Sequence, residues 1–333
     1  MSVRFAVLGA GRIGQVHARA ISSVEGATLV AIAEPLEAAA ETARATFQVD
    51  IRSIEDCAGA TDVDAVVICT PTDTHADLIE AFVRAGKAVF CEKPVDLSVA
   101  RVRACLDVVT ELGGQLMVGF NRRFDPDFRA LKAAIDGGRI GEVEMVAITS
   151  RDPGPPPIGY IERSGGLFKD MTIHDFDIAR WLLGEDVDRV LATGSNLVDP
   201  AIGQAGDIDS ASVILMTTSG KHCAISNSRR AVYGYDQRIE VHGSEGMVSA
   251  QNMAEAAVTV ATEAGFAQPP LVNFFMDRYQ AAYAAEIEAF VGALASGAEM
   301  PTTGHDGLMA LALAEAAMRS AADGRVVQLS EMI

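Results

Sequence analysis

The sequence predicts an α/β chain in which a doubly wound parallel sheet is followed by an α+β domain with a largely antiparallel open sheet. Three observations carry this. Residues 1–120 alternate short β-rich apolar runs with stretches of helical period. The alternation breaks after Phe120, and most of the strand-like runs beyond it follow one another with only turns between them. The chain has 333 residues and 49% hydrophobic content, enough for two cores.

The first half justifies itself element by element. Val3–Leu8 is an apolar run that enters a glycine cluster, Ile13–Val24 has helical spacing, and Thr28–Glu34 is again β-rich, which makes a βαβ unit. A helix is then expected over Glu37–Thr46, a strand over Ala65–Thr70, a helix over Ala76–Ala85, a strand over Ala88–Cys91, a helix over Ser98–Leu112 and a strand over Leu116–Phe120. Parallel strands need right-handed crossovers, so this repetition puts helices on both faces of one sheet. Beyond it come a helix over Asp127–Asp136 and a strand over Glu142–Thr149. The segment Arg151–Gly166 holds Pro153, Pro155, Pro156 and Pro157 and reads as a surface loop. Strands are expected over Asp188–Val198, Ala211–Thr217, Cys223–Ser228, Gln237–Val241 and Ala257–Thr262, and helices over Tyr279–Ala295 and Gly307–Ala322. This divides the chain into residues 1–120 and residues 121–333.

Charge narrows the function. With 27 Lys and Arg against 45 Asp and Glu, the net charge of −18 repels phosphate backbones and anionic headgroups, which argues against nucleic acid and membrane partners. No apolar run approaches the ~20 residues of a spanning helix, and the N-terminus lacks the order of a secretory signal, so a cytoplasmic location is expected. Five scattered cysteines, with no CxxC pair, read as small core residues.

Gly9, Gly11 and Gly14 form G-x-G-x-x-G between the first strand and the first helix. The first glycine allows the tight turn, the second lets backbone approach a pyrophosphate, and the third admits close helix packing, while the helix N-terminus favours negative charge. Arg12 and Ile13 complete this turn. Glu34 stands 20 residues past Gly14 at the end of the second strand, where a carboxylate accepts hydrogen bonds from the adenosine ribose. These features predict a Rossmann domain. Glu34 would repel a 2′-phosphate, and Pro35, Leu36 and Glu37 offer no cation, so the expected cofactor is NAD.

Asp170, His174 and Asp177 are spaced i, i+4 and i+7 and would share one helix face. Taken alone, such a row also suits capping and ion pairs, and it is thin evidence for a metal; no metal is expected.

Several motifs resemble the glucose-fructose oxidoreductase/inositol dehydrogenase family, Gfo/Idh/MocA. They are GAGRIG followed by His17, TPTDTH from Thr70 to His75, Glu92-Lys93-Pro94, GFNRRFD from Gly119 to Asp125, and GGLFKDMTIHDFD from Gly165 to Asp177. The resemblance covers nearly the whole chain. It implies a cofactor site along Thr70, Pro71, His75, Glu92 and Lys93, and a cis peptide before Pro94. It also implies Lys93, Asp170 and His174 as catalytic residues and Asp177 as a substrate contact. Histidine suits the base of an alcohol oxidation because its ordinary pKa is about 6.5. Lys93 suits the developing alkoxide, and Asp170 suits the orientation of the imidazole. Asn121, Arg122 and Tyr235 supply further hydrogen-bonding groups for a polyol, with Tyr233 beside them.

The activity implied is NAD-dependent oxidation of a secondary hydroxyl of a cyclic polyol, myo-inositol to its 2-keto product, as part of carbohydrate catabolism. Scyllo-inositol and sugars are alternatives within that chemistry, and a non-catalytic NAD-binding sensor is an alternative outside it. The resemblance also implies a homo-oligomer, a tetramer, joined through the open sheet face.

Overall fold

The computed structural model describes residues 2–333. The chain forms two units, one running to Phe124 and taking back Gln280–Leu311, the other made of Asp125–Tyr279 and Ala312–Ile333.

In the first unit six strands form one parallel sheet: β1 (Val3–Leu8), β2 (Ala27–Ala33), β3 (Asp50–Arg52), β4 (Ala65–Ile68), β5 (Ala88–Glu92) and β6 (Leu116–Gly119). Their spatial order is β3-β2-β1-β4-β5-β6, and every pairing is parallel. Strands covered on both faces read as unbroken apolar runs, which is why Phe5–Leu8 and Ala65–Ile68 are wholly buried. Chain connections leave β1 and β4 in opposite directions, so their carboxyl ends form the crevice where open α/β sheets bind ligands.

The first unit also takes in chain from far beyond residue 120. The helix Gln280–Ser296 packs on the helix Arg12–Ser23, and its Phe290 meets Phe5 and Phe90 at ring-centroid distances of 6.0 and 5.9 Å. The physical reason is burial: Ala282, Tyr283, Ile287 and Phe290 put their apolar surface against the first core. Thr302 then closes the edge of β6, donating its hydroxyl to the Val118 carbonyl at 2.6 Å and accepting from the Val118 amide at 3.0 Å.

The second unit is built on β7 (Val143–Arg151), β8 (Val187–Ser195), β9 (Ser210–Thr217), β10 (His222–Ser228), β11 (Asp236–Gly243) and β12 (Gly246–Ala250). An exposed hairpin of β13 (Val260–Thr262) and β14 (Gly265–Ala267) stands apart from this sheet, and β15 (Val327–Gln328) ends it. The order is β12-β11-β7-β10-β9-β8-β15, antiparallel except between β7 and β10. Alternation sorts the faces. Val146, Ile148, Val213, Leu215, Cys223 and Ile225 are buried, and the helix Ile173–Leu183 packs on β7 and β10. On the opposite face Thr149, Ser226, Ser212 and Thr193 stand in register across four strands, beside the row Ala147, Ala224, Ile214 and Leu191.

Two expectations are revised here. The loop Arg151–Gly166 contains a helix, Ile158–Ser164, which begins directly after Pro157, where a proline's missing N–H costs nothing. The expected strand Ala257–Thr262 is reduced to the β13 arm of the small hairpin.

Candidate active site

In the first unit the glycine turn is shaped by contacts that no side chain would survive. Gly9 has φ +94°, and a Cβ there would stand 2.9 Å from the Cys69 carbonyl oxygen; a Cβ on Gly14 would stand 1.9 Å from the Gly9 carbonyl oxygen. Gly11 differs. Its Cβ would project into open space, the room that a pyrophosphate needs, and no side chain caps the helix Arg12–Ser23 that follows. Arg12 is exposed and Ile13 half-buried on its first turn. Glu34 accepts hydrogen bonds from the Ala10 amide at 2.7 Å and the Leu36 amide at 2.9 Å, which holds its carboxylate at the rim of the glycine turn. An uncapped helix start, open space at Gly11 and a fixed carboxylate together fit a dinucleotide.

The neighbouring loop is braced from inside. Thr70 and Thr74 share a hydroxyl hydrogen bond of 2.7 Å. His75 is buried, with its ring nitrogens 2.8 Å from the carbonyl oxygens of Thr70 and Pro94, so it ties the Thr70-Pro71 turn to the segment after β5. Glu92 is the last residue of β5, Lys93 is half-buried, and the Lys93–Pro94 peptide is cis. Asn121 and Arg122 are buried in a 3₁₀ turn after β6, Asn121–Phe124. Arg123 pairs with Asp306 at 2.9 Å. Burial opposes the Asp306 charge, yet Arg123 and the Thr303 hydrogen bonds bring its pKa down to about 2.

In the second unit Asp170 does not lie on a regular α-helix, as the i, i+4, i+7 spacing predicts. It sits on a π-helical turn, Phe168–Thr172, and the α-helix proper begins at Ile173. The wider turn comes where side chains from elsewhere capture this segment. Tyr160 donates its hydroxyl to Asp170 Oδ1 at 2.7 Å, and Arg229 points both Nη1 and Nη2 at Asp170 Oδ2, each at 3.3 Å. Arg229 is only 1% exposed and also stands 3.7 Å from Asp207 Oδ2, while Asp207 Oδ1 accepts the Leu167 amide at 3.0 Å. One buried guanidinium therefore braces both the carboxylate and the start of the turn.

The helix that follows is pinned to the sheet through Asn227, which accepts from the Thr172 hydroxyl at 2.7 Å and donates to Asp175 Oδ2 at 2.8 Å. His174 is half-buried on the first turn of that helix, whereas Asp177 is completely buried. Tyr235 is also buried, its ring edge-on to Tyr279 at 6.0 Å. Tyr233 instead donates to Asp236 Oδ2 at 2.6 Å. A depression of about 350 Å³ lies on the open sheet face, lined by Arg151, Ser195, Ser212, Ser228 and Arg230 among others; its lining includes none of Asp170, His174, Asp177 and Tyr235.

Comparison with known proteins agrees with this geometry. Residues 3–120 match an oxidoreductase family with an NAD-binding Rossmann fold, and residues 128–249 match the GFO/IDH/MocA C-terminal domain. The chain belongs to the GFO/IDH/MocA family. As a member it is an oxidoreductase with an NAD-binding Rossmann domain. It is 61% identical over 330 residues to the inositol 2-dehydrogenase of Rhizobium meliloti (strain 1021), covering 99% of this chain and all of that relative. It is 44% identical over 333 residues to the myo-inositol 2-dehydrogenase of Thermotoga maritima, covering 99% of this chain and all of that relative. A crystal structure of scyllo-inositol dehydrogenase from Lactobacillus casei with bound NAD(H) and scyllo-inositol superposes with a TM-score of 0.92 at 30% identity, covering 99% of this GFO/IDH/MocA member and all of that chain.

Sequence reasoning missed Arg229, Tyr160 and Asp207. Arg229 falls in SRRAVYGYD, where nothing in the spacing separates it from Arg230, yet Arg229 is buried while Arg230 is exposed.

Proposed function

We propose that this chain is an NAD-dependent inositol 2-dehydrogenase that oxidises a secondary hydroxyl of myo-inositol to the 2-keto product. The observation that carries this reading is the full-length 61% identity to an inositol 2-dehydrogenase in a chain that keeps Lys93, Asp170 and His174. NAD, when bound, takes the hydride from the substrate carbon. The glycine turn with Arg12 and Ile13 holds its pyrophosphate, Glu34 its adenosine ribose, and Thr70 and Pro71 border it, with His75 acting through the backbone it braces. Glu92 and Lys93 complete this cofactor border.

His174 removes the hydroxyl proton, without which the carbonyl cannot form. Lys93 stabilises the developing alkoxide by donating from Nζ. Asp170, fixed by Tyr160 and Arg229, sets the orientation of the imidazole and favours its protonated form. Asn121, Arg122, Asp177 and Tyr235 belong to the hydrogen-bonding shell of the polyol. The scyllo isomer is the second reading, favoured by the Lactobacillus casei structure.

The open sheet face, with its in-register serines and threonines and its small alanines, suits sheet-on-sheet association of identical chains into a tetramer. The five buried free cysteines suit a reducing cytoplasm. The test is an NADH-absorbance screen over inositol isomers, glucose, xylose and related polyols. An inositol gives the highest kcat/KM; a clear preference for a phosphorylated or carboxylated substrate sinks the assignment.

A further inference from the structure

Three ionisable side chains from three elements share one buried compartment next to the strand end that carries Lys93. His17 comes from the helix Arg12–Ser23, Glu92 from the end of β5 and Glu286 from the helix Gln280–Ser296. His17 and Glu286 are 0% exposed. His17 Nε2 lies 2.7 Å from Glu92 Oε1, and His17 Nδ1 lies 3.9 Å from Glu286 Oε1. Phe90 and Tyr283 stand edge-on to the imidazole at 5.1 and 5.5 Å. Both oxygens of Glu286 and the Nδ1 of His17 are buried with no hydrogen-bond partner among the described residues.

A bare carboxylate in such a place is costly, so the group keeps its proton instead. Burial, and then the charge of Glu92, push the Glu286 carboxyl well above its ordinary range. The other groups facing it are the His17 ring and the Cys69 thiol after β4, which is itself pushed up, first by burial and then by Glu92. A metal ion is the other way to settle two carboxyls and an imidazole, since their ligand atoms all lie within 4.8 Å of one another. The ring argues against it: one nitrogen faces Glu92 and the other faces Glu286, and an ion can take only one of them. With Nε2–H given to Glu92, Nδ1 turns a lone pair towards Glu286, and a protonated carboxyl is its complement. The second oxygen of Glu92 accepts the Lys93 amide at 3.2 Å. An ionised Glu286 would instead compete with Glu92 for the ring.

We propose that His17 and Glu286 are positioning residues of a proton-locked cluster: Glu286 holds its proton so that His17 can fix Glu92, and with it the strand end that presents Lys93. The effect on turnover rests on Lys93 serving the reaction as set out above; the titration of Glu286 does not. A carboxyl that binds its proton more tightly when folded stabilises the fold fully at low pH, and that stability is lost as pH rises from the ordinary carboxyl value of 4.5 through the raised one.

The decisive experiment is unfolding of the intact protein from pH 5 upward, native against Glu286→Gln, which mimics the protonated acid. The native unfolding constant rises relative to that of the variant by up to about tenfold per pH unit. A difference that does not change with pH overturns the lock, as does about one retained metal ion per chain by elemental analysis. His17→Leu and His17→Gln test positioning, because Gln can still donate to Glu92. We expect kcat to fall at least tenfold in His17→Leu, by more than NAD affinity or KM changes, and to recover in His17→Gln. Equal kcat values in the two variants overturn the positioning role, and the Glu286→Gln titration decides the lock even if neither His17 variant folds.

Discussion

The turn that follows β1 is made of backbone, whereas the turn that carries Asp170 is held by side chains arriving from other elements. At the first, Gly9, Gly11 and Gly14 act by lacking a Cβ, and the partners they approach, the Gly9 and Cys69 carbonyls, are main-chain groups. At the second, Asp170 owes its place to Arg229, 59 residues away, and to Tyr160 in a segment rich in proline. A site built by omission leaves a short local pattern in the sequence. A site built by buried charge leaves none, because the partners are chosen by the fold.

Five substitutions at three places press on this difference, the largest effect first. His174→Ala should lower turnover by roughly 10²- to 10⁴-fold, the usual scale for a lost general base. NAD affinity, a property of the glycine turn, should stay near native. Single-turnover NADH formation at saturating NAD and substrate checks this, and a native rate with a native pH profile would assign the base to another group.

Arg229→Met should come next, at about 3–5 kcal/mol of stability, because it strands two carboxylates around an emptied site. Denaturant unfolding measures it. Arg229→Lys keeps the charge but not the fork that spans Asp170 and Asp207, so it should recover only part of the loss. If Met and Lys are equally well tolerated, the guanidinium is not what holds the π turn.

The smallest effect separates two glycines of the same motif. Gly14→Ala should cost about 1–3 kcal/mol of stability, as overpacked sites do, because its Cβ meets the Gly9 carbonyl. Gly11→Ala should leave the unliganded protein's melting temperature nearly unchanged and weaken NAD, because only a ligand occupies the space its Cβ enters. Calorimetry with and without NAD tells them apart; equal melting temperatures for both variants would contradict the packing argument.

Legibility followed the range of the interactions. β1 was readable to the residue, since Val3–Leu8 is apolar except for Arg4. The helices Arg12–Ser23, Glu37–Phe47, His75–Arg84 and Val99–Glu111 were readable to within one residue, whereas the short helix Ile54–Gly59 was not read. β3, with only three residues, Asp50–Arg52, is too short to show a period. The spacing of Asp170, His174 and Asp177 did not give the shape of their segment, because a π turn and an α-helix share the same local composition. The helix Gln280–Ser296 was legible as a helix, while its membership of the first unit was not: it is apolar nearly all round, and such a pattern says that it is buried without saying against what.

The sequence by itself determined the parallel α/β order of the first unit, the glycine turn with Glu34, and the acidic surface, and it singled out Lys93, Asp170 and His174 as candidates. These depend on periods, on missing side chains and on residue types, all of which are local. Only the tertiary structure decided that Arg229 rather than Arg230 is the buried partner of Asp170, that His17 stands between Glu92 and Glu286, and that Gln280–Leu311 returns to the first core. The reason is that an ionisable group is defined by its surroundings. Burial and the nearest opposite charge set its protonation and its orientation, and both are supplied by residues that the chain brings close only when it folds.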